Sequence, residues 1–128
     1  MSELALDTNA VSALFEGDEG LTRALDGAEC LTLPVIVLGE YRSGLMRSRH
    51  RRKLEALLDS LARESELAEV DEETTRVYAA VRERLRAKGR PLPKNDVWIA
   101  AICLQRELEL VTRDGDFRHV EGLRVASW

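Results

Sequence analysis

Two kinds of hydrophobic pattern alternate along the chain. Short apolar runs, which are typical of buried strands, predict strands at 4–7, 29–33, 67–70, 109–112 and 123–126. Apolar positions spaced three and four residues apart predict helices at 10–15, 34–47, 51–64 and 72–88, and a further helix with an apolar stripe between 97 and 108. Strands separated by helices predict an α/β fold, because such crossovers build a central, mostly parallel sheet with helices on both faces.

Prolines, glycines and short polar residues mark where these elements begin and end. Pro34 stops the second strand and suits the first position of the helix that follows. Asp71 is a good N-cap for the helix at 72–88, and Gly89 ends that helix. No strand separates the two helices within 34–64, so we expect them to form an α-hairpin that projects from the sheet.

Length and composition fit one globular domain. A chain of 128 residues that is 45% hydrophobic can bury one core, so we expect a single domain over 1–128. No apolar run approaches the roughly 20 residues of a membrane helix, and the first residues lack the pattern of a secretory signal. Cys30 and Cys103 lie apart among apolar neighbours, and we expect both to be buried, reduced thiols of a cytoplasmic protein.

The charges are distributed unevenly. The formal net charge is −4, which alone disfavours a nucleic-acid partner. Two windows without acids, 42–53 and 84–94, hold 11 of the 19 Lys and Arg residues, and the rest of the chain carries 8 cations against 23 acids. Such windows are either solvated faces or phosphate-binding segments. We favour phosphate binding, because one window begins just after Glu40 and the other ends just before Asp96.

Five acids fall near the carboxyl ends of the predicted strands, where an open parallel sheet places its active site. They are Asp7, Glu40, Asp96, Asp114 and Asp116. Taken singly, Asp7 and Asp96 could each only cap a helix, and Asp114 could only form a turn. Converging carboxylates, however, repel one another unless a cation neutralises them. Oxygen ligands without His or Cys suit Mg²⁺ or Mn²⁺, so the pattern predicts a metal-dependent phosphoryl-transfer or hydrolase site.

Four segments carry a family resemblance. They read Leu-Asp-Thr-Asn-Ala (6–10), Val-Leu-Gly-Glu-Tyr-Arg-Ser-Gly-Leu (37–45), Leu-Pro-Lys-Asn-Asp-Val-Trp-Ile-Ala-Ala (92–101) and Leu-Val-Thr-Arg-Asp-Gly-Asp-Phe (110–117). Together they resemble the PIN-domain nucleases and, within them, the VapC-type toxins of bacterial toxin–antitoxin pairs. The resemblance implies a three-layer α/β/α fold and an endoribonuclease that depends on Mg²⁺ or Mn²⁺. It also implies an antitoxin partner that blocks the site, and a homodimer.

The resemblance further implies roles for individual acids. Asp7 and Asp96 match the family's metal ligands. Glu40 and Asp114 match its remaining acids, which orient the metals or the attacking water. Attack by water, rather than by the ribose 2′-hydroxyl, would leave a 5′-phosphate on one RNA product.

Supporting residues surround these acids. Asn9 is expected to hold the turn at Asp7 through its amide, and Thr112 corresponds to a hydroxyl that supports the acidic cluster. Asp116 matches a position where acids vary among relatives. The residues expected to contact RNA are Arg42, Lys94 and Arg113.

Other interpretations remain open. The chain could be a catalytically silent PIN-like module whose acids engage an arginine-rich partner, including a relative that binds DNA together with that partner. A haloacid-dehalogenase-like phosphatase would need a second aspartate at position 9, where this chain has Asn9. Metal-dependent cleavage of RNA discriminates the nuclease from both alternatives.

Overall fold

Among residues 3–128, which the computed structural model describes, five parallel strands form one central sheet. The strands are β1 (Leu4–Leu6), β2 (Leu31–Pro34), β3 (Glu66–Ala68), β4 (Glu109–Val111) and β5 (Val125–Ala126). Their order across the sheet is β3-β2-β1-β4-β5, and Leu4 of β1 pairs with Leu31 on one side and Glu109 on the other. Each strand overlaps its predicted range, and the parallel sheet is confirmed.

Helices occupy the connections between the strands. They are α1 (Thr8–Phe15), α2 (Glu19–Ala24), α3 (Val35–Leu45), α4 (Arg51–Glu64), α5 (Glu72–Ala87), α6 (Lys94–Arg106) and a short 3-10 helix (Gly115–His119). The chain moves outward from β1 to β3 and then returns to β4 on the other side of β1. Because parallel crossovers are right-handed, this reversal places α5 and α6 on the face opposite to the earlier helices. The predicted three-layer α/β/α fold is thus confirmed.

The central strands are covered on both faces. Leu4, Ala5 and Leu6 of β1 are all buried, as a parallel sheet between helical layers requires. Phe15 of α1 meets Tyr41 of α3 edge-to-face, with ring centroids 5.7 Å apart. This contact packs α1 against α3.

Most predicted boundaries agree with the structure. The Asp71 side chain accepts the Thr74 amide hydrogen as the N-cap of α5, in a reciprocal capping box. Gly89 ends α5 with a φ of 70°, a conformation that glycine adopts without strain. The α-hairpin also forms, but it does not stand free of the sheet, because Leu58 of α4 is fully buried in the core.

Four expectations need correction. Helix α2 was not predicted, and its start is set by Asp18, whose side chain accepts the Leu21 amide hydrogen. The 3-10 helix also was not predicted, because Asp-Gly-Asp is typical of a simple turn. Helix α3 ends at Leu45 rather than at residue 47. Cys30 is exposed, since it precedes β2 at the sheet margin, whereas Cys103 is buried as expected.

The sheet order singles out one edge of the molecule. Strands β2 and β4 lie on opposite sides of β1, so the connections leaving the carboxyl ends of β1 and β4 diverge there. Such a divergence opens a crevice at the carboxyl edge, which is where α/β sheets bind ligands.

No helix within residues 3–128 is both long and apolar enough to cross a bilayer.

Candidate active site

Asp7 lies directly after β1, at the carboxyl edge of the sheet. It is the N-cap of α1, and its Oδ1 accepts the Ala10 amide hydrogen at 2.8 Å. Its Oδ2 accepts a short hydrogen bond from the Thr112 hydroxyl, which comes directly after β4. Burial raises the pKa of Asp7, and these two hydrogen bonds oppose that rise. Asp7 therefore caps its helix and is also built into the crevice, so the two interpretations of this residue are compatible.

Thr112 links two of the acids. Its hydroxyl donates to Asp7 and accepts the Asp114 amide hydrogen at 3.0 Å. The Asp114 carboxylate in turn accepts the Asp116 amide hydrogen at 2.9 Å and so caps the 3-10 helix. Because Thr112 is 1% exposed, water cannot easily replace these bonds. One buried hydroxyl thus holds the ends of β1 and β4 in a common arrangement.

Glu40 reaches the same crevice from α3. Its Oε1 accepts a hydrogen bond from the Thr8 hydroxyl at 2.7 Å, and its Oε2 accepts one from the Asn95 amide group at 3.1 Å. Thr8 begins α1 and Asn95 lies in the first turn of α6, so Glu40 joins three helices. Sequence reasoning missed both donors. Their positions in the sequence could have indicated them, because Thr8 directly follows Asp7 and Asn95 directly precedes Asp96.

Asp96 completes the group from the first turn of α6. Its side chain is half-buried and accepts no hydrogen bond from any residue within 3–128. Burial, followed by the negative charges of Glu40, Asp114, Asp7 and Asp116, raises the pKa of Asp96 to about 6. The acids are therefore close enough to repel one another, as predicted for a converging group.

The donor set fits a hard divalent cation. Within residues 3–128, no three acidic, histidine or cysteine side chains already stand close enough to enclose a metal ion. The converging groups are nevertheless all carboxylates, and one of them has a raised pKa and no hydrogen-bond partner. Mg²⁺ or Mn²⁺ would satisfy that oxygen and relieve the repulsion.

Comparison with known proteins identifies the family. The model of the PIN domain matches residues 4–123. The chain belongs to the PIN domain family. It is 33% identical to ribonuclease VapC5 of Mycobacterium tuberculosis over 123 residues, which cover 91% of this chain and 87% of that relative. It is also 29% identical to ribonuclease VapC4 of the same organism, over 71% of this chain and 72% of that relative.

Solved structures share the fold of this PIN domain. VapBC-5 from Mycobacterium tuberculosis, a member of the VapBC family of toxin–antitoxin systems, matches with a TM-score of 0.78 and 30% identity, over 99% of this chain and 98% of that chain. VapBC2 from Rickettsia felis, solved with a DNA fragment from its promoter, matches with a TM-score of 0.87 over 98% of both chains. At 23% identity, the second match shows the fold alone.

Asn9 and Asp116, which were expected to support the acids of this PIN domain, have different relations to them. Asn9 is exposed, and the hydrogen bonds within residues 3–128 do not include its side chain. The expectation that its amide holds the turn at Asp7 is wrong, because the Ala10 backbone amide does so. Asp116 is exposed at the start of the 3-10 helix, and its charge contributes to the raised pKa of Asp96.

The three residues expected to contact RNA differ in their side-chain partners. Arg42 points away from Glu40 and pairs with Asp59 of α4 at 3.0 Å, since residues two apart lie on opposite faces of a helix. Arg113 pairs with an acid outside the predicted group. Its guanidinium donates to Asp18 at 3.1 Å and lies 4.7 Å from the Trp128 ring centroid. Arg42 and Arg113 are both exposed, as is Lys94 at the start of α6, two residues before Asp96, and contact of these three with RNA stays a prediction.

Proposed function

We propose that this protein is the toxin of a toxin–antitoxin pair and acts as an endoribonuclease that uses Mg²⁺ or Mn²⁺. The observation that carries the proposal is Asp96, a half-buried carboxylate without a hydrogen-bond partner within residues 3–128 that faces other acids at the sheet's switch point. Ribonuclease names among the relatives support the reaction class. The VapBC systems among the solved structures support an antitoxin partner.

The residues divide the chemistry between them. Asp7, Asp96 and Asp114 would hold the metal, which when bound polarises the phosphate and lowers the pKa of water. Glu40 keeps its position through Thr8 and Asn95 and would orient a water molecule and take its proton. In-line attack by that water would break the bond between phosphorus and the 3′-oxygen, which would take a proton from solvent and leave as a 3′-hydroxyl, and the other product would carry a 5′-phosphate. Products with a 2′,3′-cyclic phosphate would contradict this mechanism.

Cleavage of RNA by the purified protein tests the proposal. We expect cutting with Mg²⁺ or Mn²⁺, none with EDTA, and a loss of at least about a hundredfold in Asp7→Asn and Asp96→Asn, because each removes a ligand charge. Asp59→Asn is the matched control, since Asp59 is an exposed acid that pairs with Arg42 away from the crevice. Full activity in Asp96→Asn would place the site elsewhere.

An acidic crevice is also a docking site for a basic partner. A segment of the antitoxin with Lys or Arg side chains would place a cation where the metal binds and so block the reaction. Co-purification with the product of the neighbouring gene, together with loss of cleavage in that complex, tests this part.

We further propose a homodimer, for which light scattering should give twice the chain mass. Tight binding of a small protein without any metal-dependent cutting would favour the silent binding module.

A further inference from the structure

A second polar cavity lies next to the acids. Its volume is about 200 Å³, and it opens between the loop after α5 and the 3-10 helix. The residues that line it are Gly89, Arg90, Pro91, Asp116 and His119. The nuclease mechanism above uses none of Arg90, His119 and the loop glycine and proline, so the cavity needs its own explanation.

Hydrogen bonds hold the two walls together. The Lys88 ammonium donates to the His119 carbonyl oxygen at 2.9 Å and so connects the loop to the 3-10 helix. On the loop side, the Arg90 amide donates to the Leu85 carbonyl at 2.9 Å and closes the end of α5. On the other side, Phe117 anchors the 3-10 helix in the core and is 1% exposed. The cavity is therefore a built feature rather than a gap between loose loops.

The cavity adjoins the acidic group through Asp116. Asp116 lines it and follows Asp114 by two residues, and the Asp116 amide donates to the Asp114 carboxylate. Asp116 is also close enough to Asp96 to contribute to its raised pKa. An RNA strand with its scissile phosphate at the acids would thus bring a neighbouring nucleotide to this cavity.

The lining has the chemistry of a nucleobase site. Proteins recognise unpaired RNA bases by stacking them on imidazole or guanidinium planes and by hydrogen bonding to their Watson–Crick edges. His119 and Arg90 provide two such planar groups, and Asp116 provides two acceptor oxygens. Guanine is the base whose Watson–Crick edge carries two adjacent donors, the N1–H and the amino group at C2. In the other three bases, a ring nitrogen or carbonyl acceptor would face one of the carboxylate oxygens.

From this geometry we propose that the cavity is a subsite for a guanine base beside the cleaved bond, in which Asp116 accepts from the base edge and Arg90 and His119 hold its faces. The proposal rests on the ribonuclease function and adds a preference for sequence to it. Because a good bidentate contact discriminates between bases by about 1–3 kcal/mol, guanine should exceed uracil at one product position by about fivefold or more.

Sequencing of the cleavage products from a randomised single-stranded RNA tests the preference. With the intact protein and Mn²⁺, one position next to the cut should be enriched in guanine. His119→Ala, Arg90→Gln and Asp116→Asn should each reduce that enrichment several-fold, and Asp116→Asn is judged by the base ratio alone, because it also alters the acidic group. The controls are His50→Ala, the other histidine, and Arg76→Gln, an exposed arginine at the opposite end of α5; both should keep the enrichment.

A binding measurement separates this proposal from the nuclease proposal. In the metal-free protein, GMP should shift the His119 imidazole NMR signals more than UMP does, and Arg90→Gln should abolish the difference. Equal effects of GMP and UMP, or variants that cut with an unchanged base profile, would overturn the guanine subsite and leave the nuclease intact. If the intact protein cuts no RNA while GMP still binds selectively, the nuclease proposal fails and the subsite stands.

Discussion

Asp96 carries a charge that the fold does not neutralise. Its carboxylate is half-buried in the first turn of α6, beside other acids, and its pKa rises to about 6. An aspartate in an unfolded chain titrates near 3.8. Between about pH 4 and pH 6, Asp96 therefore holds its proton more often in the folded metal-free protein than in the unfolded chain. The contribution of Asp96 to stability accordingly falls as the pH rises through that window and stays lower above it.

Asp96→Asn should remove most of this pH dependence. In EDTA at pH 7, we expect the variant to be more stable than the original protein, by on the order of 1 kcal/mol after allowance for solvent screening. Urea unfolding between pH 4.5 and 8 measures the effect. Mg²⁺ should stabilise the original protein and have little effect on the variant. Parallel pH profiles for the two proteins would show that Asp96 is not the group that titrates.

Thr112 is the residue on which the geometry of two acids depends. Thr112→Val preserves the shape but leaves the Asp7 carboxylate and the Asp114 amide without their partner. We expect a loss of about 1–3 kcal/mol in the free energy of unfolding, together with weaker cleavage. Thr112→Ser retains the hydroxyl and should recover most of both. The contrast between Val and Ser in urea unfolding is the decisive measurement, and equal stability of the two would contradict the buried link.

At the scale of elements, the site forms where the first turns of two helices lie at the same edge of the sheet. Helices α1 and α6 both begin at the carboxyl edge of the sheet. Helix α3 is joined to both by hydrogen bonds to its Glu40 side chain. Helix N-termini carry partial positive charge, which favours carboxylates there and offsets part of their repulsion. The pairs Thr8–Glu40 and Asn95–Glu40 therefore set the angle at which α3 presents its acid.

Asn95→Ala should release Glu40 from α6. Because groups that orient a catalytic carboxylate typically change activity by 10- to 100-fold, we expect the cleavage rate to fall within about that range while the fold is retained. Asn9→Ala is the matched control, since Asn9 is an exposed asparagine near the site whose side chain forms no hydrogen bond within residues 3–128. Cleavage rates and circular dichroism of both variants are the measurements. Equal rates would mean that Thr8 alone positions Glu40.

At the scale of the molecule, the charge map divides the surface. The tip of the α-hairpin, defined as Arg47, Arg49, Arg51, Arg52 and Lys53, follows the end of α3 and includes the start of α4. Arg51 pairs with Glu55 at 2.8 Å, whereas the salt bridges within residues 3–128 do not include the other four. We therefore expect the tip to contact an RNA backbone at a distance from the acids.

Removing three tip charges should weaken RNA binding through salt-dependent contacts. We expect Arg49→Gln, Arg52→Gln and Lys53→Gln together to lower the slope of log affinity against log salt by about 2, because each phosphate contact on a single strand contributes about 0.7. Arg23→Gln, Arg63→Gln and Arg76→Gln remove the same charge elsewhere and serve as the control. Fluorescence anisotropy at several salt concentrations gives both slopes. Identical slopes would mean that the tip does not touch RNA.

Prediction from sequence succeeded where local physics decides. The range of α4 and the N-cap of α5 follow from spacing and capping, which act within a few residues. It did not find contacts between residues that are distant in sequence. Arg42 and Arg113 each bind an acid, 17 and 95 residues away respectively, that nothing in their local sequence indicates. The 3-10 helix after β4 was not predicted, because the Asp-Gly-Asp motif indicates a turn and does not show that the next residue, Phe117, is buried in the core.

The sequence by itself determined the alternation of strands and helices, the parallel sheet and the acids at its carboxyl edge, because periodicity and strand ends are local properties. Only the tertiary structure decided which groups hold those acids. Thr8 and Asn95 on Glu40, Thr112 between Asp7 and Asp114, and an Asp96 without a partner among the described residues all depend on how three helices and two strands converge. Hydrogen bonds of this kind require positions set to within a few tenths of an ångström, which packing of the whole core provides.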